Sequence, residues 1–229
     1  MARLAPSELA SRLALDYEAM LDLPGEAVGF VRAFADRAAR DRKREVARED
    51  GLRGAASVYD VEFTFPILTG PGTTTPRTVV SYDLLAGGAY PFSAPLANVA
   101  SRPLPWSPHV HPGSGVLCIG GIWKGARGRM LLAQLVVHTM RFLNFDEDDQ
   151  PGYDGWNPAA IRYWRTEMGC RPAIADLKVP VLPDALTGTR PAPVFRTTEK
   201  TLLHAAEVEA AHRFGPARPS AGGAFFARR

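Results

Sequence analysis

Between Ala89 and Trp123 the chain carries six prolines (Pro91, Pro95, Pro103, Pro105, Pro108 and Pro112) among a dense set of apolar side chains. Proline fixes φ and lacks an N–H, so neither a helix nor a central strand runs far through such a stretch. Its apolar content, with Tyr90, Phe92, Trp106, Val110, Leu117, Ile119 and Trp123, is too high for a solvated linker. The segment is therefore predicted to be ordered and irregular, with Leu96 to Ala100 as a short strand inside it. Whatever fold the chain adopts must hold this long aperiodic piece against a core.

The flanks say what that core is. Residues 57–68 alternate with period two: Tyr59, Val61, Phe63 and Phe65 take one side and Val58, Asp60, Glu62 and Thr64 the other. That is a half-buried strand. A turn-rich connector through Pro76 leads to a second strand over 77–85, so the pair reads as an antiparallel hairpin. On the far side, Leu131, Leu132, Leu135, Val136, Met140 and Leu143 predict a strongly buried helix over 130–143. The tetrad Asp146, Glu147, Asp148 and Asp149 forms an acidic loop, and Asn157-Pro158 opens a further helix to Met168, with proline at its first position.

Towards the N-terminus, Ser7 reads as the N-cap of a helix bearing Leu9, Leu13, Tyr17 and Met20. A second helix is expected from Glu26 to Arg48, with Val28, Val31, Phe34 and Ala38 along one side. After Cys170 the prolines suggest an extended crossover, then a helix from Glu199 to Phe214 and a tail.

The bulk properties restrict the class. The 229 residues are 46% hydrophobic and 22% charged, the balance of an ordinary globular protein. No run approaches the roughly 20 apolar residues of a membrane span, and the first residues lack an apolar signal core. A cytoplasmic protein that contacts no membrane is expected. The formal charge of +3 comes without a basic stripe interleaved with aromatics, so nucleic-acid binding is not expected. Cys118 and Cys170 are too few for a disulfide framework or a zinc site, and both are expected to be thiols. No cofactor is implied.

Five local motifs then fall in a telling order. Tyr90-Pro91-Phe92-Ser93-Ala94-Pro95 follows the strands, His111-Pro112 comes next, and Gly115-Val116-Leu117-Cys118-Ile119 after that. Trp123 lies a few residues beyond the cysteine, and Asn144 to Asp149 follows the next helix. Over residues 57 to 168 this order resembles the ubiquitin-conjugating enzymes, and the Ala/Arg-rich composition resembles their prokaryotic branch, found in ubiquitination-like operons. The resemblance implies an α+β fold, a small antiparallel sheet flanked by helices. It divides the chain into N-terminal helices (1–50), a catalytic core (51–170) and a C-terminal extension with a tail (171–229). It implies a thioester to a ubiquitin-like protein on Cys118, charged by an activating enzyme and passed to the lysine of a target protein.

Thiolate suits that cycle because it attacks well, leaves well and gives a thioester still reactive toward amines. The family's His-Pro-Asn is His111-Pro112-Gly113 here, so its oxyanion asparagine is absent. His109 or His111, or backbone N–H groups near Cys118, are left as donors to the oxyanion. Asp148 and Asp149 are the carboxylates expected to orient the amine. Each residue also has a plainer reading: Cys118 as inert core, His111 as a loop tie, the acidic loop as solvated charge, and His138, Trp106 and Trp123 as packing. Two other classes stay open, a catalytically silent binding scaffold of the same fold and a cysteine hydrolase with His109 or His111 as base.

Overall fold

A computed structural model describes residues 3–126, 128–146, 155–180 and 182. All of them fall in the unit Arg3–Phe195. Helix α1 (Pro6–Leu21) starts one residue before the expected cap. Proline's fixed φ suits the first turn, and the Glu8 carboxylate accepts the Ala5 N–H at 2.8 Å. Leu13, Tyr17 and Met20 are buried along its inner face.

The helix expected over 26–48 is not formed. Its first part is strand β1 (Val28–Phe34), and the remainder is two single-turn helices, α2 (Arg37–Asp41) and α3 (Arg48–Leu52). Val28, Val31 and Phe34 satisfy a helical spacing, but β-branched and aromatic residues also favour a strand when an apolar partner is available. The partner is β2 (Val58–Phe63), which pairs with β1 antiparallel, Val31 opposite Val61. Asp36 caps α2 by accepting the Ala39 N–H at 2.7 Å.

The connector after β2 holds a small hairpin, β3 (Ile67–Gly70) with β4 (Thr73–Thr75). Strands β5 (Thr78–Asp83) and β6 (Leu96–Val99) complete an antiparallel sheet in the order β1-β2-β5-β6. Register aligns Val31, Val61, Val80 and Val99 in one row across all four strands. Helices α4 (Gly120–Ala126), α5 (Leu132–Leu143) and α6 (Pro158–Thr166) follow the sheet. Leu132, Leu135, Val136, Met140 and Leu143 of α5 share one buried cluster with Leu13, Tyr17 and Met20 of α1 and with Tyr59, Val61, Val80 and Tyr82 of the sheet. The protein is thus of the α+β class, a small antiparallel sheet with flanking helices.

The sheet's other face carries ion pairs around a small buried cluster of Phe34, Ala39 and Val58. Arg40 reaches both oxygens of Asp60, at 2.7 and 2.9 Å, Arg37 pairs with Asp83, and Arg77 lies 3.6 Å from Glu62. Where the cation stays in solvent, as for Arg37 and Arg77, such a pair contributes at most about 1 kcal/mol.

After α5, Asn144 brackets an extended segment: its amide accepts the Ile174 N–H at 2.8 Å and donates to the Ile174 carbonyl at 2.9 Å. Ile174, Leu177 and Leu182 pack on the main cluster, which anchors the start of the C-terminal extension. The helix expected over 199–214 lies outside the described residues. Among the described residues no helix is long and apolar enough to cross a membrane.

Candidate functional site

The proline-rich segment is held as an outward continuation of the sheet. Val116 bridges Asn98 of β6, with Val99 N–H donating to the Gly115 carbonyl and Leu117 N–H to the Ala97 carbonyl, each at 2.9 Å. Val110 bridges Leu117 on the next row out. His111 N–H donates to Val116 at 2.9 Å and Cys118 N–H donates to the His109 carbonyl at 2.8 Å. Residues 109–111 and 116–118 therefore form a two-stranded ribbon in which His109 lies directly opposite Cys118. Opposed residues of this type have Cα atoms about 5.5 Å apart.

Turn chemistry closes the ribbon. His111 is exposed, and its Nδ1 accepts the N–H groups of Gly113 at 3.3 Å and Ser114 at 3.1 Å, with the Ser114 hydroxyl at 3.0 Å. An imidazole nitrogen that accepts two N–H bonds carries no proton, so the ring's N–H is at Nε2. Gly115 follows with φ at +75°, a left-handed conformation, and a Cβ there would sit 2.8 Å from the Leu104 side chain. Among its readings, the loop tie describes what His111 does in the fold.

His109 is placed differently. The residue is 6% exposed, and its ring stacks on Phe142 of α5, centroids 4.4 Å apart. Ser107 reinforces that attachment by donating to the Phe142 carbonyl at 2.8 Å while accepting the His109 N–H at 3.3 Å. Burial lowers the His109 pKa to about 4, because desolvation disfavours the charged ring. The imidazole is neutral at pH 7 and brings no positive charge to the thiol. Its Nδ1 has no hydrogen-bond partner among the described residues.

Cys118 is a half-buried thiol between two buried neighbours, Leu117 and Ile119. Two residues later α4 begins, and the Trp123 N–H bonds back to the Ile119 carbonyl at 3.1 Å. Trp123 is buried and locked: its indole N–H donates to the Pro91 carbonyl at 2.8 Å, and its ring lies 5.6 Å from that of Tyr90. The Tyr90-Pro91 segment, the cysteine ribbon and Trp123 are thus one packed unit.

Two features escaped the sequence reading. The first is a buried network behind the unit. Arg12 pairs with Asp16 at 2.9 Å and donates to the Gly128 carbonyl at 2.7 Å and the Tyr90 hydroxyl at 3.0 Å. The Tyr90 hydroxyl donates to Asp16, and the Leu132 N–H reaches the same carboxylate at 2.8 Å. Burial works against the Arg12 charge, but Asp16 and Tyr90 outweigh it and raise the pKa. One network thereby ties α1 to both ends of the site's frame. A charged pair four residues apart beside Leu13 and Tyr17 was its only sequence signal.

The second is the packing of Asn157, which is 3% exposed, against the outer edge of the ribbon. Its side-chain oxygen caps α6 by accepting the Ala160 N–H at 3.2 Å, and its own N–H donates to the Pro108 carbonyl at 3.2 Å. The side-chain nitrogen has no acceptor among the described residues. A buried donor left so costs about 1–3 kcal/mol.

Asp148 and Asp149 lie outside the described residues; of the acidic loop only Asp146 is described, half-buried after α5. Cys170 packs beside Trp164 and Phe145, in a cluster distinct from that of Leu117 and Ile119. His138 is half-buried on α5 with its ring 6.5 Å from Phe142, and the Trp106 ring lies tilted against Tyr163 with centroids 5.1 Å apart. No group of three or more His, Cys, Asp or Glu among the described residues is placed to hold a metal ion. Comparison with known proteins finds no matching family model, curated protein or solved structure.

Proposed function

We propose that the chain adopts a ubiquitin-conjugating fold and is an acyl carrier of that kind, taking a ubiquitin-like protein from an activating enzyme onto Cys118 and passing it to the lysine of a target. The observation that carries the reading is the packed unit just described. The residues behind the resemblance, Tyr90-Pro91, His111, Cys118 and Trp123, meet around one ribbon at the rim of an antiparallel sheet, with α1 before the sheet and α4, α5 and α6 after it. Nothing in that arrangement requires a cofactor.

In this reading Cys118 is the nucleophile and leaving group. His111 shapes the loop beside it. His109, with the proton on Nδ1, supplies an N–H to the developing oxyanion, and Asp148 and Asp149 orient the amine. The mixed charges from Arg37 to Arg48, with Arg42 and Lys43 exposed after α2, offer the activating enzyme a surface. The chain works in the cytoplasm, where the thiol stays reduced. A scaffold of the same fold is the second reading, favoured by one fact: the neutral, buried His109 does nothing to activate the thiol.

The test is covalent chemistry. Incubated with ubiquitin-like protein, activating enzyme and ATP, the wild type forms an adduct that thiol reagents release. Cys118→Ser forms one that resists thiol and yields to base, and Cys170→Ala behaves as wild type. An adduct that survives reduction, or forms equally on Cys118→Ala, rules the carrier out and leaves the scaffold.

A further inference from the structure

Four glycines show what in this fold requires one. Gly115 and Gly128 have left-handed φ values of +75° and +76°, and a Cβ on Gly51 or Gly155 would stand 2.4 Å or 2.3 Å from a neighbouring atom. Gly121 and Gly125 of α4 meet neither condition. Both are exposed, neither has a positive φ, and a Cβ on either would find nothing within 4 Å. Alanine fits at both places and suits a helix better, because glycine loses more backbone freedom on ordering. With Gly120, three of the seven residues of α4 are glycine, so the helix is weak by composition.

What holds α4 is a single deep anchor and a clamp beyond its end. Trp123 is buried, with its indole N–H on the Pro91 carbonyl at 2.8 Å. Past the helix, Arg12 holds the Gly128 carbonyl at 2.7 Å. The first turn is closed by the bond from the Trp123 N–H to the Ile119 carbonyl at 3.1 Å. A helix this short does not persist by itself in water, since its nucleus is costly. Opening the first turn leaves the indole anchor in place, so it costs much less than unfolding the domain. Cys118 stands two residues before the helix. Its N-terminal side is fixed by the bond from its N–H to the His109 carbonyl, and its C-terminal side runs straight into that first turn.

We propose that α4 is a strap that opens locally about the Trp123 anchor, and that this opening gates access of a reactant to the half-buried Cys118 thiol. That the gate regulates uptake and release of an acyl group rests on the acyl-carrier reading above. Gly121 and Gly125 keep the open form accessible, while Trp123 and the clamp on Gly128 keep the opening local and reversible. In the closed form the ribbon and α4 confine the thiol from both sides. In the open form the chain after Cys118 yields and the sulfur gains solvent.

The test uses the full chain and iodoacetamide, with Cys118 and Cys170 followed separately by peptide mass spectrometry. Gly121→Ala combined with Gly125→Ala is the discriminating variant. The expected result is a higher melting temperature, alkylation of Cys118 slowed about tenfold, and Cys170 alkylated at the wild-type rate. The Trp123 amide exchanges with solvent more slowly by the same factor. Alkylation of Cys118 at the wild-type rate in the double variant overturns the inference. Equal slowing at both cysteines also overturns it, because global unfolding is then the route to the thiol. A lower melting temperature does so as well, since the fold would then need both glycines. The carrier reading fails separately: a chain with this gated Cys118 that forms no adduct with ubiquitin-like protein, activating enzyme and ATP keeps the strap and loses the carrier.

Discussion

The Cys118 N–H is held by the His109 carbonyl at 2.8 Å, backbone to backbone, while the His109 ring turns to Phe142. The position of the thiol is thus set by ribbon register, and the imidazole opposite it is part of the packing. This separates what His109 does for stability from what it does for chemistry.

Stability should depend on pH through that ring. An unfolded histidine titrates near 6.5 and His109 in the fold near 4, so between these values the unfolded chain binds the extra proton. The contribution is complete above about pH 6.5, is lost progressively as pH falls to about 4, and amounts to on the order of 3 kcal/mol. His109→Phe keeps the stack and cannot titrate. Urea melts of both proteins from pH 7.5 to 4 should show the wild type losing stability that the variant retains. Parallel pH slopes would refute the assignment.

His109 also makes a kinetic prediction. If its N–H serves the oxyanion, His109→Phe should charge on Cys118 normally and discharge to lysine about 10²-fold more slowly. Equal single-turnover discharge rates would give the role to other donors.

The buried pair Arg12 and Asp16 should behave as a unit. Arg12→Met leaves the Asp16 carboxylate buried without its cation, at a cost of about 3–5 kcal/mol. Asp16→Leu costs a similar amount, because Arg12 and the Leu132 N–H lose their acceptor. The double variant should be less destabilised than the sum of the two, and a urea-denaturation cycle measures the difference. Additive losses would mean the pair is not coupled.

His111→Ala should loosen the ribbon without unfolding the sheet. The amides of Gly113, Ser114 and Gly115 should exchange with solvent at least tenfold faster, while those of Val61 and Val80 keep their protection. Uniform protection across the ribbon would show that Gly115 and the backbone bonds suffice.

Much of this was legible in the chain. Alternation over 57–68 placed β2 because its pleat has one buried face, and Leu132 to Leu143 announced α5 because its apolar stripe is unbroken. Asn157-Pro158 marked the start of α6, since proline and a capping side chain act locally. These are short-range effects that a sequence states directly. β1 was not legible, because Val28, Val31 and Phe34 fit a helical spacing and only the apolar edge of β2 draws the segment into a strand.

The site divides in the same way. The motifs around Cys118 are contiguous in sequence and could be read as such. That His109 faces Cys118, that Trp123 holds Pro91, that Arg12 and Asp16 meet Tyr90, and that Asn157 lies against Pro108 are pairings between distant segments. Many segments could supply a partner of the right polarity, and the choice falls to whichever pairing satisfies most of the buried polar groups while the apolar faces close. That sum is taken over the whole chain at once, so only the tertiary structure decided it.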